Sequence, residues 1–457
     1  MNVVKRALLV NLVVLCAGAS AAHVAEQGFV LLLPTTAYTL AGVAAVALTV
    51  LALFVLPASA IRTLFTVRRI PTGTFAQART LTSLISFALL GFAVWVGLTG
   101  PRDPLSNVMP LWVWTLGWVA LVSLAGLLGN VWSWVNPWTG PYHVLGLGRA
   151  PLRLPEGFGQ WPAVILLGVF AAFLLVDPAP SDPARLAMVT GLYWLATMAG
   201  LVLFGRPWLQ QVELGHALIG ALARLAPLRL GPEGGIGGPG WRLRTRVPVA
   251  GAGVFALTFL AVGSFDGLNE TFWWLALIGV NPLEFPGRTA VMVPTFLGLL
   301  TTILGLIAVF WATIRLGQLL APGAGGPESF GRLAECLLPI ALAYHIAHYL
   351  PSFLVSIQYT LVATSDPFAT GADLLGLQPF YVTTGFFNRI DSVRLIWLSQ
   401  AGAVVIGHVW SVLLSHRIAL DLAPKPGQAM WLTLPLSVLM IAYTFLGLWL
   451  LAAPRGA

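Results

Sequence analysis

The sequence is dominated by apolar stretches that are each long enough to cross a lipid bilayer as one α-helix. A spanning helix needs about 20 apolar residues, because each residue adds about 1.5 Å along the helix axis. Only 9% of the residues are charged and 58% are hydrophobic, which excludes an ordinary soluble protein. A hydropathy window of about 19 residues finds about ten such stretches, with cores at 36–57, 80–99, 109–129, 161–177, 185–205, 248–266, 291–318, 333–358, 394–415 and 430–452. The predicted fold is therefore all-α, a polytopic transmembrane helical bundle that follows an N-terminal signal peptide.

The N-terminus has the three-part pattern of a secretory signal peptide. Lys5 and Arg6 precede an apolar core, which is followed by the small residues GASAA. Residues 1–22 are therefore predicted to be a signal peptide, with an uncleaved first span as the alternative. After cleavage, His23 would begin an outer segment at 23–35, and its amino group and imidazole together could chelate copper.

The remaining chain, 36–453, is predicted to be one transmembrane helical domain with three long connections. The outer loop at 266–290 has a short apolar middle, 271–280, which is predicted to form a re-entrant or surface helix. The inner loop at 130–160 is rich in Trp and Tyr, which is typical of an anchor at the membrane interface. The inner loop at 206–247 begins with a predicted amphipathic helix and continues into the glycine-rich GPEGGIGGPG.

Basic residues are unevenly distributed between the two sets of connections. Most lie in connections on one side, namely Arg62, Arg68, Arg69, Arg79, Arg149, Arg153, Arg206, Arg224, Arg229, Arg242, Arg244, Arg246, Arg332, Arg417 and Lys425. Because basic residues favour the cytoplasmic side, this side is predicted to be inner and the mature N-terminus to be outside. Membrane topology thus explains the net charge of +8, and nucleic acid is not a predicted partner.

The predicted eighth span carries the densest group of chemically active residues. Its stretch at 333–364 contains His345 and His348, which project from one helix face because they are three residues apart. His408 in the predicted ninth span is expected at a similar depth, since consecutive spans run antiparallel. Imidazole binds zinc, copper and iron, so His345, His348 and His408 are predicted metal ligands. Two of them could instead bind haem axially, or all three could only hydrogen-bond to neighbouring helices.

Two aspartates follow the eighth span in the segment SDPFATGADLLG. Asp366 and Asp373 are predicted at the outer surface, where either carboxylate could complete a metal site or act as a catalytic base. The alternative for Asp366 is an ordinary turn, since Ser-Asp-Pro is typical of a helix end. Asp266, Glu270 and Glu284 flank the short outer helix, and their expected roles are helix caps and loop contacts.

Several stretches of the sequence together resemble one known family. HVAEQGFVLLLPT, LLGNVWSWVNPW, FDGLNETFWWLALIGVNPLEFPGRT, AYHIAHYL, SDPFATGADLLG and GHVWSVLLSHRIAL resemble the bacterial polytopic membrane proteins called fenitrothion hydrolase. The resemblance runs from about residue 23 to the end of the sequence. It implies a multi-pass protein of the bacterial cytoplasmic membrane that hydrolyses an organophosphate triester, and it supplies no established catalytic residues.

Three functions are consistent with these residues. The first is a metal-dependent hydrolase of organophosphate triesters or similar apolar esters, in which zinc, copper or iron activates a water. The second is a membrane transporter or a metal-ion or proton-handling protein that uses the intramembrane histidines. The third is haem-binding electron transfer. The predicted partners are the lipid bilayer and, for the first function, a small apolar substrate, and the sequence leaves open whether a further protein subunit is needed.

Overall fold

The computed structural model describes residues 34–148, 150–244, 247–284, 287–377 and 379–455. Its helices, numbered in chain order, are α1 (Thr35–Val55), α2 (Ala58–Leu64), α3 (Ala76–Thr99), α4 (Val108–Leu128), α5 (Trp132–Val135), α6 (Thr139–Val144), α7 (Trp161–Leu175), α8 (Pro183–Phe204), α9 (Arg206–Gln211), α10 (Leu214–Leu222), α11 (Trp241–Arg244), α12 (Ala252–Asn269), α13 (Phe272–Leu277), α14 (Arg288–Leu320), α15 (Ser329–Glu335), α16 (Leu338–Ser365), α17 (Ile390–Leu422) and α18 (Pro426–Ala452). Within the described residues, 9 helical segments are long and apolar enough to cross a membrane, and α15 with α16 forms one of them. The all-α class predicted from the sequence is confirmed.

The predicted spans and the observed helices agree in position but not in number. The predicted core at 80–99 corresponds to α3, and the core at 430–452 corresponds to α18. The predicted fourth span corresponds to α7, whose 15 residues are fewer than the about 20 that a bilayer requires. The predicted count of about ten spans is therefore not supported. The predicted signal peptide and residues 23–33 lie outside the described residues.

The helical bundle has a buried centre and an exposed apolar periphery. In the most apolar 18-residue stretch of α12, 78% of the residues are buried, and in that of α17 the share is 67%. In α1, α3, α8 and α14 the share is only 22% to 28%, and leucines such as Leu48 and Leu192 are exposed. In a membrane protein such side chains are solvated by lipid. Buried polar chemistry is therefore concentrated along α12, α17 and α16, which packs against both.

Contacts between the connections divide into two groups, one at each end of the bundle. At one end, β1 (Val67–Arg69), β2 (Leu228–Arg229) and β3 (Gly235–Gly237) form an antiparallel sheet in the order β1-β3-β2, with Val67 opposite Gly237. This sheet joins two connections that are predicted on the inner side. At the other end, the backbone N–H of Phe272 donates to Pro454 O at 3.0 Å, and both segments are predicted on the outer side. The two groups match the predicted alternation of inner and outer connections.

The part of the predicted inner loop at 214–225 packs into the bundle and is largely buried. Where the sequence predicts one amphipathic helix, the structure has α9 and α10, which are joined at Glu213. The Glu213 carboxylate is buried and accepts hydrogen bonds from Trp132 Nε1, the Tyr193 hydroxyl and the backbone N–H groups of Gly215 and His216. Burial raises the pKa of Glu213, and these hydrogen bonds offset the rise only in part. One buried carboxylate thus joins α5, α8 and the start of α10.

A second buried carboxylate fixes the same loop to the bundle. Glu335 ends α15 and is 1% exposed, and its Oε1 lies 2.7 Å from Arg224 Nη2. The contact is an ion pair by distance, although its angles do not fit a hydrogen bond. Arg224 lies just after α10, and its Nε donates to Ala221 O at 3.4 Å. The ion pair therefore connects the predicted inner loop to the segment that leads into α16.

Candidate functional site

Two helices bring titratable side chains together near the end of the bundle that is predicted to be outer. Helix α16 carries His345, His348 and Tyr349, and its histidines share one face. This helix packs against α4 and against α12, which carries Asp266 in its last turn. His345 and His348 are each 5% exposed, and Asp266 is 9% exposed. We call these four side chains the acid–base cluster.

His348 and Tyr349 share one oxygen of the Asp266 carboxylate. His348 Nε2 lies 3.2 Å from Asp266 Oδ2, and the Tyr349 hydroxyl donates a hydrogen bond to the same oxygen. On the other side of the ring, Arg455 Nη2 lies 3.5 Å from His348 Nδ1. Because arginine can only donate, this network assigns the lone pair to Nδ1 and the hydrogen to Nε2. The Asp266 carboxylate therefore orients the imidazole of His348.

His345 lies one helical turn from His348, toward the centre of the bundle. Its Nε2 lies 3.0 Å from Trp118 O, and because a carbonyl oxygen can only accept, Nε2 carries the hydrogen. The rings of Trp118 and Tyr349 contact the imidazole edge-on, with centroid distances of 5.1 and 4.9 Å. Trp118 belongs to Leu111–Leu121, the middle of α4, which is wound as a π-helix. π-Helical segments are rare and frequently lie at functional sites.

A cavity of about 150 Å³ borders the acid–base cluster. Asp266, His348 and Tyr349 form part of its wall, together with the charged residues Glu270 and Arg288. Much of the remaining wall is apolar and includes Leu111, Trp114, Trp118, Leu174 and Phe353. Apolar walls with a few convergent polar groups are typical of sites for small molecules. A cavity of about this volume holds one aromatic ring, whereas sites for drug-sized ligands span about 300 to 1,000 Å³.

A smaller cavity lies among the side chains of the cluster itself. It measures about 10 Å³ and is lined by both histidines and by Asp266, Tyr344 and Tyr349. A water needs roughly 10 to 15 Å³ and two to four polar partners. The space between the two histidines therefore fits about one water.

The structure does not bring His408 to the other two histidines. Its Nδ1 lies 2.8 Å from a backbone carbonyl one turn earlier in its own helix, and it donates to that oxygen. Gly407 packs against Pro339 and Ala343, so His408 lies about one helical turn nearer the opposite end of the bundle than His345. Across the described residues, no group of three or more His, Cys, Asp or Glu side chains is positioned to hold a metal ion. The predicted ligands His345 and His348 share a site, and the metal itself stays a prediction.

The two predicted catalytic aspartates lie in the loop after α16. Asp366 accepts from the backbone N–H groups of Thr370 at 2.9 Å and Gly371 at 2.7 Å. Asp373 accepts from Ser365 Oγ at 3.0 Å and from Leu377 N at 2.7 Å. Partial burial raises the pKa of Asp366, but the backbone donors outweigh it and lower the pKa overall. Both carboxylates order this loop, and neither is among the residues that line the cavity beside the cluster.

Sequence reasoning did not group Asp266 with the histidines. It assigned Asp266 to a loop at the outer surface, whereas the residue lies inside α12 and contacts α16. A signal was present, because an acidic residue at the end of an apolar span is a candidate for a functional site. No comparable signal in the sequence indicated that Arg455 contacts His348, because Arg455 lies far along the chain, beyond the last span.

No protein-family model, curated protein or solved structure matches the chain. The resemblance to fenitrothion hydrolase therefore remains a prediction made from the sequence.

Proposed function

We propose that the chain is an integral membrane hydrolase of small apolar esters, with organophosphate triesters as the leading class. The observation that carries the proposal is the Asp266–His348 pair in the wall of a largely apolar cavity. Asp266 is a suitable general base, because its carboxylate lines the cavity and is held in place by His348 Nε2 and the Tyr349 hydroxyl. The resemblance to fenitrothion hydrolase supports the ester class and the bacterial cytoplasmic membrane.

The proposed reaction is attack of water on the phosphorus of the triester. The water gives one proton to the Asp266 carboxylate, which His348 Nε2 contacts, while its oxygen bonds to phosphorus, and the departing alkoxide or aryloxide then takes up that proton. The products are a phosphodiester and an alcohol. Arg288 lines the cavity, and its Nη1 donates to Leu174 O at 3.0 Å. Its guanidinium is the group proposed to stabilise negative charge on the phosphoryl oxygen.

The volume of the cavity restricts how a triester can bind. A space of about 150 Å³ holds about one aromatic ring, so a whole aryl phosphotriester does not fit inside it. We propose that the phosphoryl group enters the cavity while the apolar remainder stays near Trp114 and Phe353, which line its wall. With the N-terminus outside, the substrate would enter from the outer leaflet.

A second function, proton handling, is favoured by a different observation. The cavity of about 10 Å³ places room for a water between His345, His348 and Asp266. Ionisable side chains that line a water site inside a membrane are typical of proton relays. In this alternative the cluster passes protons toward the centre of the bundle and makes no product.

One experiment separates these two functions. Purified protein is reconstituted into liposomes that contain a pH-sensitive dye, and a 4-nitrophenyl phosphotriester is added. We expect saturable release of nitrophenol above that of empty liposomes, without a proton flux driven by an imposed pH gradient. Proton flux without nitrophenol would replace the hydrolase proposal by the second function. Absence of both signals would contradict both proposals.

Three histidine variants test the site within this assay. We expect His345→Ala and His348→Ala to lower hydrolysis at least about tenfold, whereas His408→Ala stays within about twofold of the wild type. The reason is that His345 and His348 line the small cavity beside Asp266, whereas His408 bonds to its own helix and lines neither cavity. Elemental analysis of the same proteins tests the predicted zinc, copper or iron, since a metal on His345 and His348 would persist in His408→Ala. A well-folded His408→Ala protein without activity would contradict the proposed site.

A further inference from the structure

A larger cavity lies at the opposite end of the bundle from the acid–base cluster. Its volume is about 690 Å³, and it lies between α6, α9 and the segment at 150–154. The backbone N–H of Leu152 donates to Leu203 O at 2.9 Å, which fixes this segment against the end of α8. His143 Nδ1 lies 3.3 Å from Thr80 Oγ1 near the start of α3. The cavity is therefore at the end of the bundle that is predicted to be cytoplasmic.

Positive charge is concentrated in this cavity, which we call the basic cleft. Arg153, Arg206 and His143 line it, and none of the described lining residues is Asp or Glu. Arg206 Nη2 lies 3.0 Å from His143 Nε2, so the imidazole accepts from the guanidinium and is neutral. Burial and the charge of Arg206 lower the pKa of His143, which is consistent with that protonation state. The two arginines thus give the cleft its charge.

The basic cleft adjoins a part of the fold that has the features of a membrane interface. Phe204 ends α8, a candidate span, and its ring stacks on Trp208 with a centroid distance of 5.4 Å. Trp132 and Trp138 lie in the neighbouring loop with their ring centroids 6.1 Å apart. Tryptophan gathers where a membrane meets water. Apolar and cationic surfaces therefore meet in the cleft, because Phe204 and Leu152 line it together with the arginines.

We propose that the basic cleft binds the phosphate of an anionic ligand, namely the headgroup of a phospholipid such as phosphatidylglycerol. Arginine side chains form charge-assisted hydrogen bonds with phosphate oxygens, and basic pockets on the cytoplasmic side of membrane proteins bind anionic headgroups. The volume of about 690 Å³ is within the range of about 300 to 1,000 Å³ that is typical of ligand sites. The apolar wall distinguishes a lipid from a soluble phosphate ester, because it offers contact to the start of an acyl chain.

Native mass spectrometry of the full-length protein in a neutral detergent measures this binding directly. The probes are phosphatidylglycerol, zwitterionic phosphatidylcholine and free glycerol phosphate. We expect Arg206→Gln and Arg153→Gln each to weaken binding of phosphatidylglycerol about fivefold, and the double variant about 25-fold. Arg62→Gln is the matched control, because Arg62 is also exposed at this end of the bundle and lies outside the cleft.

The outcomes distinguish the sources of the phosphate. Preference for phosphatidylglycerol that is lost in the cleft variants and kept in Arg62→Gln supports the proposal, provided that glycerol phosphate does not compete. Equal competition by glycerol phosphate would overturn the lipid assignment in favour of a soluble phosphate ester. An equal loss in Arg62→Gln would show attraction to general surface charge and would overturn the site.

Discussion

Replacement of Asp266 by Asn is expected to lower ester hydrolysis by about 10²-fold to 10⁴-fold, the usual contribution of general acid–base catalysis. The substitution keeps the size of the side chain and an oxygen that can accept from Tyr349, but it removes the negative charge beside His348. Without the Asp266 carboxylate, the proposed base for the attacking water is lost. The measurement is kcat for nitrophenol release from a phosphotriester by the reconstituted protein.

Asp366 and Asp373, which the sequence predicted to be catalytic, are the matched controls. We expect Asp366→Asn and Asp373→Asn to retain hydrolysis within about threefold of the wild type, since their carboxylates bind backbone N–H groups of a loop. Thermal unfolding of each variant in detergent checks that a loss of activity is not a loss of fold. If Asp366→Asn or Asp373→Asn fell as far as we expect for Asp266→Asn, the base would lie in this loop and the cavity assignment would be wrong.

The spans could be predicted closely because their physical requirement is simple. A lipid environment demands a continuous apolar helix of sufficient length, and hydropathy measures that property directly. The predicted core at 109–129 and the observed Val108–Leu128 differ by one residue at each end. The predicted core at 161–177 and the observed Trp161–Leu175 also agree in position, but the 15 residues of this helix are fewer than the about 20 that a bilayer requires.

The partners of the histidines could not be predicted, because tertiary packing decides which helix faces which. Spacing along one helix correctly placed His345 and His348 on one face. The choice of His408 as the third member assumed that the next helix in sequence lies at matching depth. Packing of Gly407 against α16 sets a different offset, and the nearby carboxylate comes from Asp266 on α12. The offset has no signature in the local sequence, and the position of Asp266 at the end of an apolar span marks a candidate residue without identifying its partner.

The burial of part of the inner loop could not be predicted for a similar reason. The charge distribution assigned Arg224 to the cytoplasmic side, where a basic residue is normally solvated. In the structure the loop turns inward, and Arg224 is buried against Glu335. A residue that supports a topology prediction can therefore also be a buried structural contact, and only the fold distinguishes the two roles.

Loss of the ion pair between Arg224 and Glu335 is expected to have a large effect on stability. Replacement of Arg224 by Met leaves the Glu335 carboxylate, which is 1% exposed, as an uncompensated buried charge. We expect the free energy of unfolding to fall by about 3 to 5 kcal/mol, as measured by titration with dodecyl sulfate in mixed micelles. Addition of Glu335→Leu should restore most of the loss, because an apolar pair in place of a buried ion pair is often neutral or stabilising.

The exposed pair in the same loop is the matched control for this test. Arg229 Nη1 lies 2.9 Å from Glu233 Oε2, and the two side chains are 36% and 69% exposed. Solvent screens such a pair, so Arg229→Met should change the free energy of unfolding by less than about 1 kcal/mol. Equal effects of Arg224→Met and Arg229→Met would mean that solvent reaches Glu335 and that the inner loop is not anchored by a buried charge. A large loss confined to Arg224→Met and reversed by Glu335→Leu would identify the ion pair as the contact that holds the loop against α15.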